Sequence, residues 1–553
     1  MATSGDRSRP GGAETRHPAS ATGLAAQRVA MRSHDYVIVG AGSAGCVLAA
    51  RLSEDPATSV LLVEAGGPDQ AQEIRIPLAF SQLFKTPLDW DYDSDPEREL
   101  GGRRLYLPRG RMLGGSSSMN AMIYMRGNPV DYDRWAANGA EGWGWRDVLP
   151  YFRRAEDNER GPSDLHGVGG PLRVSDGRSQ HPLAAAFVEA GTQAGHPHNP
   201  DFNGARQEGV GYYQLTQRDG MRCSVADAYL RAALQRPNLS LITETLALRV
   251  LFQGTRARGV EVALGRVGAT EELHAEREVL LCAGAYESPK LLLLSGIGPQ
   301  EVLQPLGIPV EEDLPVGKGL QDHCLTLLNF RTAVETLMTA LTPDNFALLL
   351  GEGRGPLSSN VAEAGGFFHS GQAAGPPDVQ LHVAPVLFHE EGLGPLVAHA
   401  LTIAPCVLAP SSRGQVLLRW PRPEAAPRIR HRYLSTQDDR DRLVRGVRLG
   451  LEIAAQPALR AVTSGPLNVP PSDSDADILG WIRHTAMTLY HPTSSCAIGS
   501  VVDAELRVLG FDGLRVVDAS VMPTVPRGNT NAPTIMVAER AADLIRGRLA
   551  SPV

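Results

Sequence analysis

A short apolar strand that runs straight into a glycine-spaced turn, a helix and a second strand ending in an acid constrains this chain more than any other feature. Asp35-Tyr36-Val37-Ile38-Val39 reads as the first strand and Gly40-Ala41-Gly42-Ser43-Ala44-Gly45 as the turn. Cys46 to Ser53 reads as a helix with Val47, Leu48 and Leu52 on its apolar face, and Ser59 to Glu64 as a second buried strand. Each glycine has a mechanical reason. Gly40 allows the tight turn out of the strand, Gly42 lets the backbone approach a pyrophosphate, and Gly45 lets the helix pack closely. The helix start at Ser43 and Ala44 then presents backbone N–H groups and a partial positive charge to phosphates. Glu64 lies 19 residues after Gly45, at a strand end suited to accept hydrogen bonds from a ribose. The unit predicts a dinucleotide site but does not separate NAD from FAD.

Beyond residue 90 the pattern is less regular. Tyr92 to Met125 reads as a glycine-rich loop region, Leu239 to Phe252 and Val260 to Leu264 as strands, and Glu278 to Ala283 as another buried strand before a helix from Lys290 to Ser295. Asp322 to Trp481 alternates as an antiparallel sheet with flanking helices would. Leu514 to Val517 reads as a last strand and Ala532 to Leu549 as the final helix.

The bulk numbers exclude several classes. With 553 residues the chain is too long for one ordinary core. A net charge of −8 is no nucleic-acid footprint. No apolar stretch reaches the roughly 18 residues of a membrane span; Val279 to Leu294 is broken by Glu287 and Lys290. The six cysteines, Cys46, Cys223, Cys282, Cys324, Cys406 and Cys496, form no CxxC and no cluster with histidine. That spacing predicts neither a disulfide framework nor a metal site, and it fits a reducing cytoplasm. Lysine occurs only at Lys85, Lys290 and Lys318 among 53 basic residues, a bias that points to a GC-rich bacterial genome. Residues 1–34 are polar and lack the apolar centre of a secretory signal; they read as a disordered extension or an early start assignment, with Met31 just before the first strand.

Four further stretches lie in order along the chain. Gly110-Arg111-Met112-Leu113-Gly114-Gly115-Ser116-Ser117-Ser118-Met119-Asn120 is the first, and Gly284-Ala285-Tyr286-Glu287-Ser288-Pro289, continuing to Ser295-Gly296-Ile297-Gly298, the second. Gly319-Leu320-Gln321-Asp322-His323 is the third. The fourth runs from Tyr490-His491-Pro492 through Val517-Asp518-Ala519-Ser520 to Gly528-Asn529-Thr530-Asn531-Ala532-Pro533. Together with the glycine turn they resemble the glucose–methanol–choline (GMC) oxidoreductases, and Arg126-Gly127-Asn128-Pro129-Val130-Asp131 looks most like the choline-dehydrogenase-like branch.

The resemblance implies an α/β and α+β architecture. A Rossmann-like FAD-binding domain is expected from residues 35–160, 205–320 and 485–550. A substrate-binding domain on a mostly antiparallel β-sheet is expected from 161–204 and 321–484. Beside the glycine turn and Glu64, the resemblance implies cofactor contacts at Arg111, Gly114, Gly115, Ser116, Asn120, Ala121, Met122, Leu248, Asp518, Ala519, Asn529 and Thr530. Some relatives attach FAD through a histidine in the first loop; the matching residue here is Met119, which implies non-covalent FAD.

The implied chemistry is oxidation of an alcohol by hydride transfer to flavin. A histidine suits removal of the hydroxyl proton, because its reference pKa is about 6.5. The resemblance assigns that role to His491 and the partnering role to Asn529, whose amide has a donor and an acceptor but no charge to desolvate. His323 and His369 read as structural. Glu363 resembles in position the glutamate that holds a quaternary ammonium in choline-oxidising relatives, and Tyr490, beside His491, is a candidate for one ring, which makes a choline dehydrogenase or oxidase the alternative. No aromatic cage can be assembled around Glu363, so a neutral alcohol is preferred. Hydroxynitrile lyase activity is a lesser alternative, and so is light-driven decarboxylation, associated in relatives with a cysteine and an arginine where this chain has Ala362 and His382. The sequence leaves open the alcohol, the electron acceptor (oxygen, a quinone or another carrier) and the oligomeric state.

Overall fold

A computed structural model describes residues 33–265, 269–371 and 375–553. The amino-terminal extension up to residue 32 lies outside them, while His34 already belongs to the first strand.

Two sheets organise the chain. The first holds β1 (His34–Val39), β2 (Val60–Val63), β3 (Leu239–Ile242), β4 (Thr245–Gln253), β5 (Arg256–Leu264), β6 (Ala269–Leu281) and β7 (Leu514–Val516). Strands β3, β2, β1, β6 and β7 lie side by side, all parallel. The first half of β6 continues into an antiparallel ribbon with β5 and β4. Val37, Ile38, Leu61, Leu62, Leu280 and Leu281 have no exposed surface, as continuous apolar runs in a sheet covered on both faces require. Each such side chain contributes about 1.5–3 kcal/mol of burial. Helix α1 (Ser43–Leu52) leaves the glycine turn and packs beside α2 (Asn531–Arg546), where Ser43 Oγ donates to Asn531 Oδ1 at 2.7 Å.

Register brings the strand ends level: Val39 stands opposite Val63 on one side and Leu281 on the other. Gly40, Glu64, Cys282 and, beyond β7, Asp518 therefore emerge along one edge. This carboxyl edge is where parallel α/β sheets bind ligands.

The second sheet is antiparallel throughout, in the order 463–468, 328–332, 400–407, 379–384, 364–368, 209–212. Its two-residue period divides the labour. Leu381, Val383, Leu401 and Ile403 pack into a core with Leu183, Phe187, Leu443 and Val447 from helices Pro182–Gln193 and Gln437–Ala454. His382, Ala384, Thr402 and Ala404 face the opposite way, into a cavity.

Two segment boundaries differ from expectation. Strand Gly209–Tyr212, read as part of the FAD-binding segment 205–320, pairs with Ala364–Phe367 at the edge of the antiparallel sheet. Met487–Thr488, from the segment beginning at 485, pairs with Cys324–Leu325 beside that same sheet. Both pairings are long-range, and local periodicity carries no record of them. The run from Leu239 to Phe252 is two strands, β3 and β4, and β6 begins well before Glu278.

Candidate active site

One continuous cavity runs along the carboxyl edge of the parallel sheet and ends against the inner face of the antiparallel one. Its first part is lined by Gly40, Gly42, Ser43, Ala44, Glu64, Gly115, Ser116, Asn120, Ala121, Met122, Asp518, Ala519, Asn529 and Thr530, all predicted from sequence. Backbone geometry explains the small residues. At Gly40, φ is +102° and a Cβ would meet the Cys282 carbonyl oxygen at 2.6 Å. At Gly45 a Cβ would lie 1.9 Å from the Gly40 carbonyl oxygen, so this glycine packs helix on turn and does not face the cavity. A Cβ on Gly42 would meet nothing nearer than Gly115 Cα at 4.0 Å, and Gly115, at φ +52°, would collide with Gly42 Cα at 2.8 Å. Two glycine backbones thus form facing walls of a cradle that fits a pyrophosphate.

Glu64 is held in place, each oxygen accepting one backbone N–H: Oε2 from Ala41 and Oε1 from Gly66, both at 2.8 Å. Burial raises its pKa, against the lowering effect of those bonds. Asp518 accepts from Gly284 N at 2.9 Å and Ser520 N at 2.8 Å, so it caps a turn as well as facing the cavity. Arg111, Gly114 and Leu248, also expected at the cofactor, stand behind the wall. Arg111 stacks over Trp90, its guanidinium carbon 4.9 Å from the ring centroid, and Gly114 N donates to Ala41 O at 2.8 Å. Thr245, Leu246 and Ala247 line the cavity in place of Leu248. Trp90, Tyr92 and Arg109 are lining residues without an individual sequence signal, and Gly284 lines the cavity from the second signature stretch.

The far end is apolar: Phe80, Phe84, Met119, Leu325, Leu327, Val361, Phe388, Met487 and Leu489. Its polar groups include His491, Asn529 and His382, with Asn360, Thr402 and Tyr490 also on the wall. Asn529 Nδ2 lies 3.2 Å from His491 Nε2, and Asn529 Oδ1 is buried without a protein partner among the described residues. His382 likewise has no protein partner at either ring nitrogen. Burial pushes the His382 imidazole down to about 3 and, helped by neighbouring His323, His382 and Arg109, holds His491 well below its ordinary value. Both are neutral near pH 7.

The loop that carries His491 is held by Asp322, which accepts the backbone N–H of His491 at 2.7 Å, that of His323 at 2.9 Å and the Thr488 hydroxyl at 2.6 Å. Tyr433 donates its hydroxyl to the same carboxylate. Tyr490 sits at φ +67°, an unfavourable backbone for an aromatic residue. Arg109, which donates to the Tyr490 carbonyl at 2.8 Å, helps hold it. This turn swings His491 into the cavity, and Tyr490 lines it too.

Glu363 is a correction. Its carboxylate does not line the cavity: Oε2 accepts from His181 N at 2.7 Å and Oε1 from Ser359 Oγ at 2.6 Å. Ser359 Oγ accepts in turn from Val361 N at 3.1 Å, so Glu363 braces the turn that presents Val361, at φ +71°, to the cavity.

A Rossmann-type sheet with a pyrophosphate cradle, joined to a mostly apolar chamber with a neutral histidine and an amide, defines a dinucleotide-dependent oxidoreductase. Residues 34–325 and 410–538 match the amino- and carboxy-terminal GMC oxidoreductase domains. The chain belongs to the GMC oxidoreductase family, and its dinucleotide is FAD. It is 44% identical to human mitochondrial choline dehydrogenase over 537 residues, 93% of this chain and 90% of that protein. It is 42% identical to an alcohol dehydrogenase (acceptor) of Pseudomonas putida, over 93% of this chain and 95% of that one. Among solved structures, pyridoxine 4-oxidase from Mesorbium loti superposes with a TM-score of 0.86 at 35% identity, covering 93% of this chain and all of that one.

Proposed function

We propose that this chain oxidises an uncharged, largely apolar alcohol, with His491 taking the hydroxyl proton and Asn529 holding the oxygen. The observation that carries this reading is the pairing of the neutral His491 imidazole with the Asn529 amide in a chamber walled mostly by apolar side chains. An alcohol hydroxyl seated beside this pair donates to His491 Nε2 and accepts from the Asn529 amide. Bound FAD supplies the hydride acceptor. The apolar side chains around the pair lower the local polarity, which strengthens both hydrogen bonds. Met119, which lines the cavity, has no nucleophilic nitrogen, so FAD is held without a covalent bond.

The second reading is choline oxidation, favoured by the similarity to choline dehydrogenases. A quaternary ammonium is stabilised by a carboxylate or an aromatic cage. The carboxylates lining the cavity are Glu64, Glu287 and Asp518, and none is at the apolar end; Glu287 is engaged by Lys290 and Tyr92. Phe80, Phe84, Phe388 and Tyr490 supply ring surface without that charge. Neutral alcohols fit this chamber better.

Among the described residues no helix is long and apolar enough to cross a membrane. All six cysteines are free and buried, which fits a reducing cytoplasm. The test of substrate class is a panel of aliphatic, aromatic and cationic alcohols, assayed with an artificial electron acceptor and, in parallel, by oxygen uptake. Turnover of neutral alcohols with none of choline is expected; efficient turnover of choline alone would overturn the reading.

A further inference from the structure

His323 reads as structural in the sequence, yet it ends up against His491, 168 residues away. The two Nδ1 atoms are 2.9 Å apart, with ring planes at 84°. Imidazole nitrogens at that distance share one proton: one ring donates and the other accepts. The far side of His323 decides which. Its Nε2 lies 3.0 Å from the Leu408 carbonyl oxygen, which can only accept. A neutral His323 therefore carries its proton on Nε2 and leaves Nδ1 bare. His491 must then carry its proton on Nδ1, and its Nε2 is left as an acceptor, taking an Asn529 Nδ2–H at 3.2 Å on the cavity wall. Both rings are deeply buried, which disfavours their charged forms and lowers His323 to about 4.

We propose that His323 is a positioning residue that fixes His491 as the Nδ1–H tautomer, so that Nε2 is the atom that receives the alcohol proton. The inference rests on the reading of His491 as the base. In the step it serves, the alcohol O–H bond breaks and the proton goes to His491 Nε2. The C–H electron pair leaves the carbon as hydride to FAD, and the C–O bond becomes C=O. The imidazolium so formed keeps its Nδ1–H pointed at His323 Nδ1, and that hydrogen bond strengthens as charge develops. The partner is a neutral imidazole backed by a peptide carbonyl. The nearest carboxylate, Asp322, is already engaged by backbone N–H and hydroxyl donors. Orientation is thus gained without an anion that would raise the basicity of His491 in the resting state.

Asparagine and leucine are close in shape, and only asparagine can accept a hydrogen bond from His491 Nδ1. The experiment compares His323→Leu and His323→Asn as FAD-loaded enzymes, measuring the limiting rate of anaerobic flavin reduction and the alcohol Kd separately. The expected result is a fall of about 10²-fold in the limiting rate for His323→Leu, the direction seen when a catalytic histidine loses its tautomer partner, with Kd little changed. His323→Asn should recover at least about tenfold of that loss. Equal rates in the two variants, or a loss confined to Kd, would overturn the proposal. His491→Ala run alongside separates the two claims: if it reduces flavin normally, the reading of the base fails; if it collapses while both His323 variants are unaffected, only the tautomer assignment fails. If either His323 variant does not fold, nitrogen NMR of histidine-labelled wild-type holoenzyme decides. A protonated Nδ1 and bare Nε2 at His491 are expected, and the reverse would overturn the assignment.

Discussion

Asn529 Nδ2 and His491 Nε2 stand 3.2 Å apart, and both side chains face the apolar end of the cavity. The neighbouring Asn531 lines the cofactor part of the same cavity, where its Oδ1 accepts from Ser43 Oγ at 2.7 Å and ties the two helices together. The two asparagines should therefore separate cleanly. Asn529→Ala should slow flavin reduction by roughly 10²-fold, the scale for losing one donor to the reacting oxygen. Asn531→Ala should leave the rate near normal and lower stability by about 0.5–1.5 kcal/mol. Rapid-mixing kinetics and thermal unfolding of both variants check this; a larger rate loss in Asn531→Ala would reverse the assignment.

Glu363 braces the Ser359–Val361 turn and His181, and its carboxylate is not part of the cavity wall. Glu363→Gln should lower stability by about 1–3 kcal/mol, because a buried donor loses its acceptor. The ratio of choline to neutral-alcohol turnover should not change. A selective loss of choline turnover would place the glutamate at the substrate after all.

Stability should depend on pH from both sides. His323 and His431 titrate at about 4, His382 at about 3 and His491 well below 6.5, in each case chiefly because burial disfavours the charged ring. The unfolded chain takes up these protons near pH 6.5 and the folded one does not. Stability therefore falls as pH drops from about 6.5 toward 4, by roughly 1.4 kcal/mol per pH unit per group. His166 has the opposite sign. Against the cost of burial, hydrogen bonds to Asp201 and Glu156 raise it to about 9. Its contribution is complete below about 6.5 and is lost as pH rises through 9. Tm should peak near neutrality, and His166→Gln should flatten the alkaline side. An alkaline limb unchanged in that variant would contradict the assignment.

Met119 occupies the cavity wall where covalent relatives carry a linking histidine, and its thioether cannot form that bond. Acid precipitation of the purified yellow protein should release all the flavin into solution. Flavin remaining with the pellet would contradict non-covalent binding.

The cofactor cradle was legible because its cause is local. A glycine forced to φ +102° at Gly40, a helix start and an acid at the next strand end all fall within about 30 residues, and the register of β1 with β2 follows from continuous apolar runs. His491 and Asn529 were legible through resemblance alone, since nothing in their immediate neighbours distinguishes a base from a structural histidine. What escaped was orientation and long-range pairing. Glu363 matches a substrate position in sequence, but the donors at His181 and Ser359 decide where its carboxylate points. Gly209–Tyr212 is too short for its period to say which sheet it joins. His323 meets its partner across 168 residues, and only the fold brings Leu408 to its other nitrogen.

The most direct test of the whole account mixes FAD-loaded protein with an uncharged primary alcohol under anaerobic conditions, wild type and His491→Ala side by side. The account predicts that the visible flavin absorption bleaches in wild type. In the variant FAD stays bound, but bleaching is slower by roughly two to four orders of magnitude, the scale for losing a general base. A wild-type flavin that no alcohol reduces, or a His491→Ala flavin reduced at the wild-type rate, would contradict it.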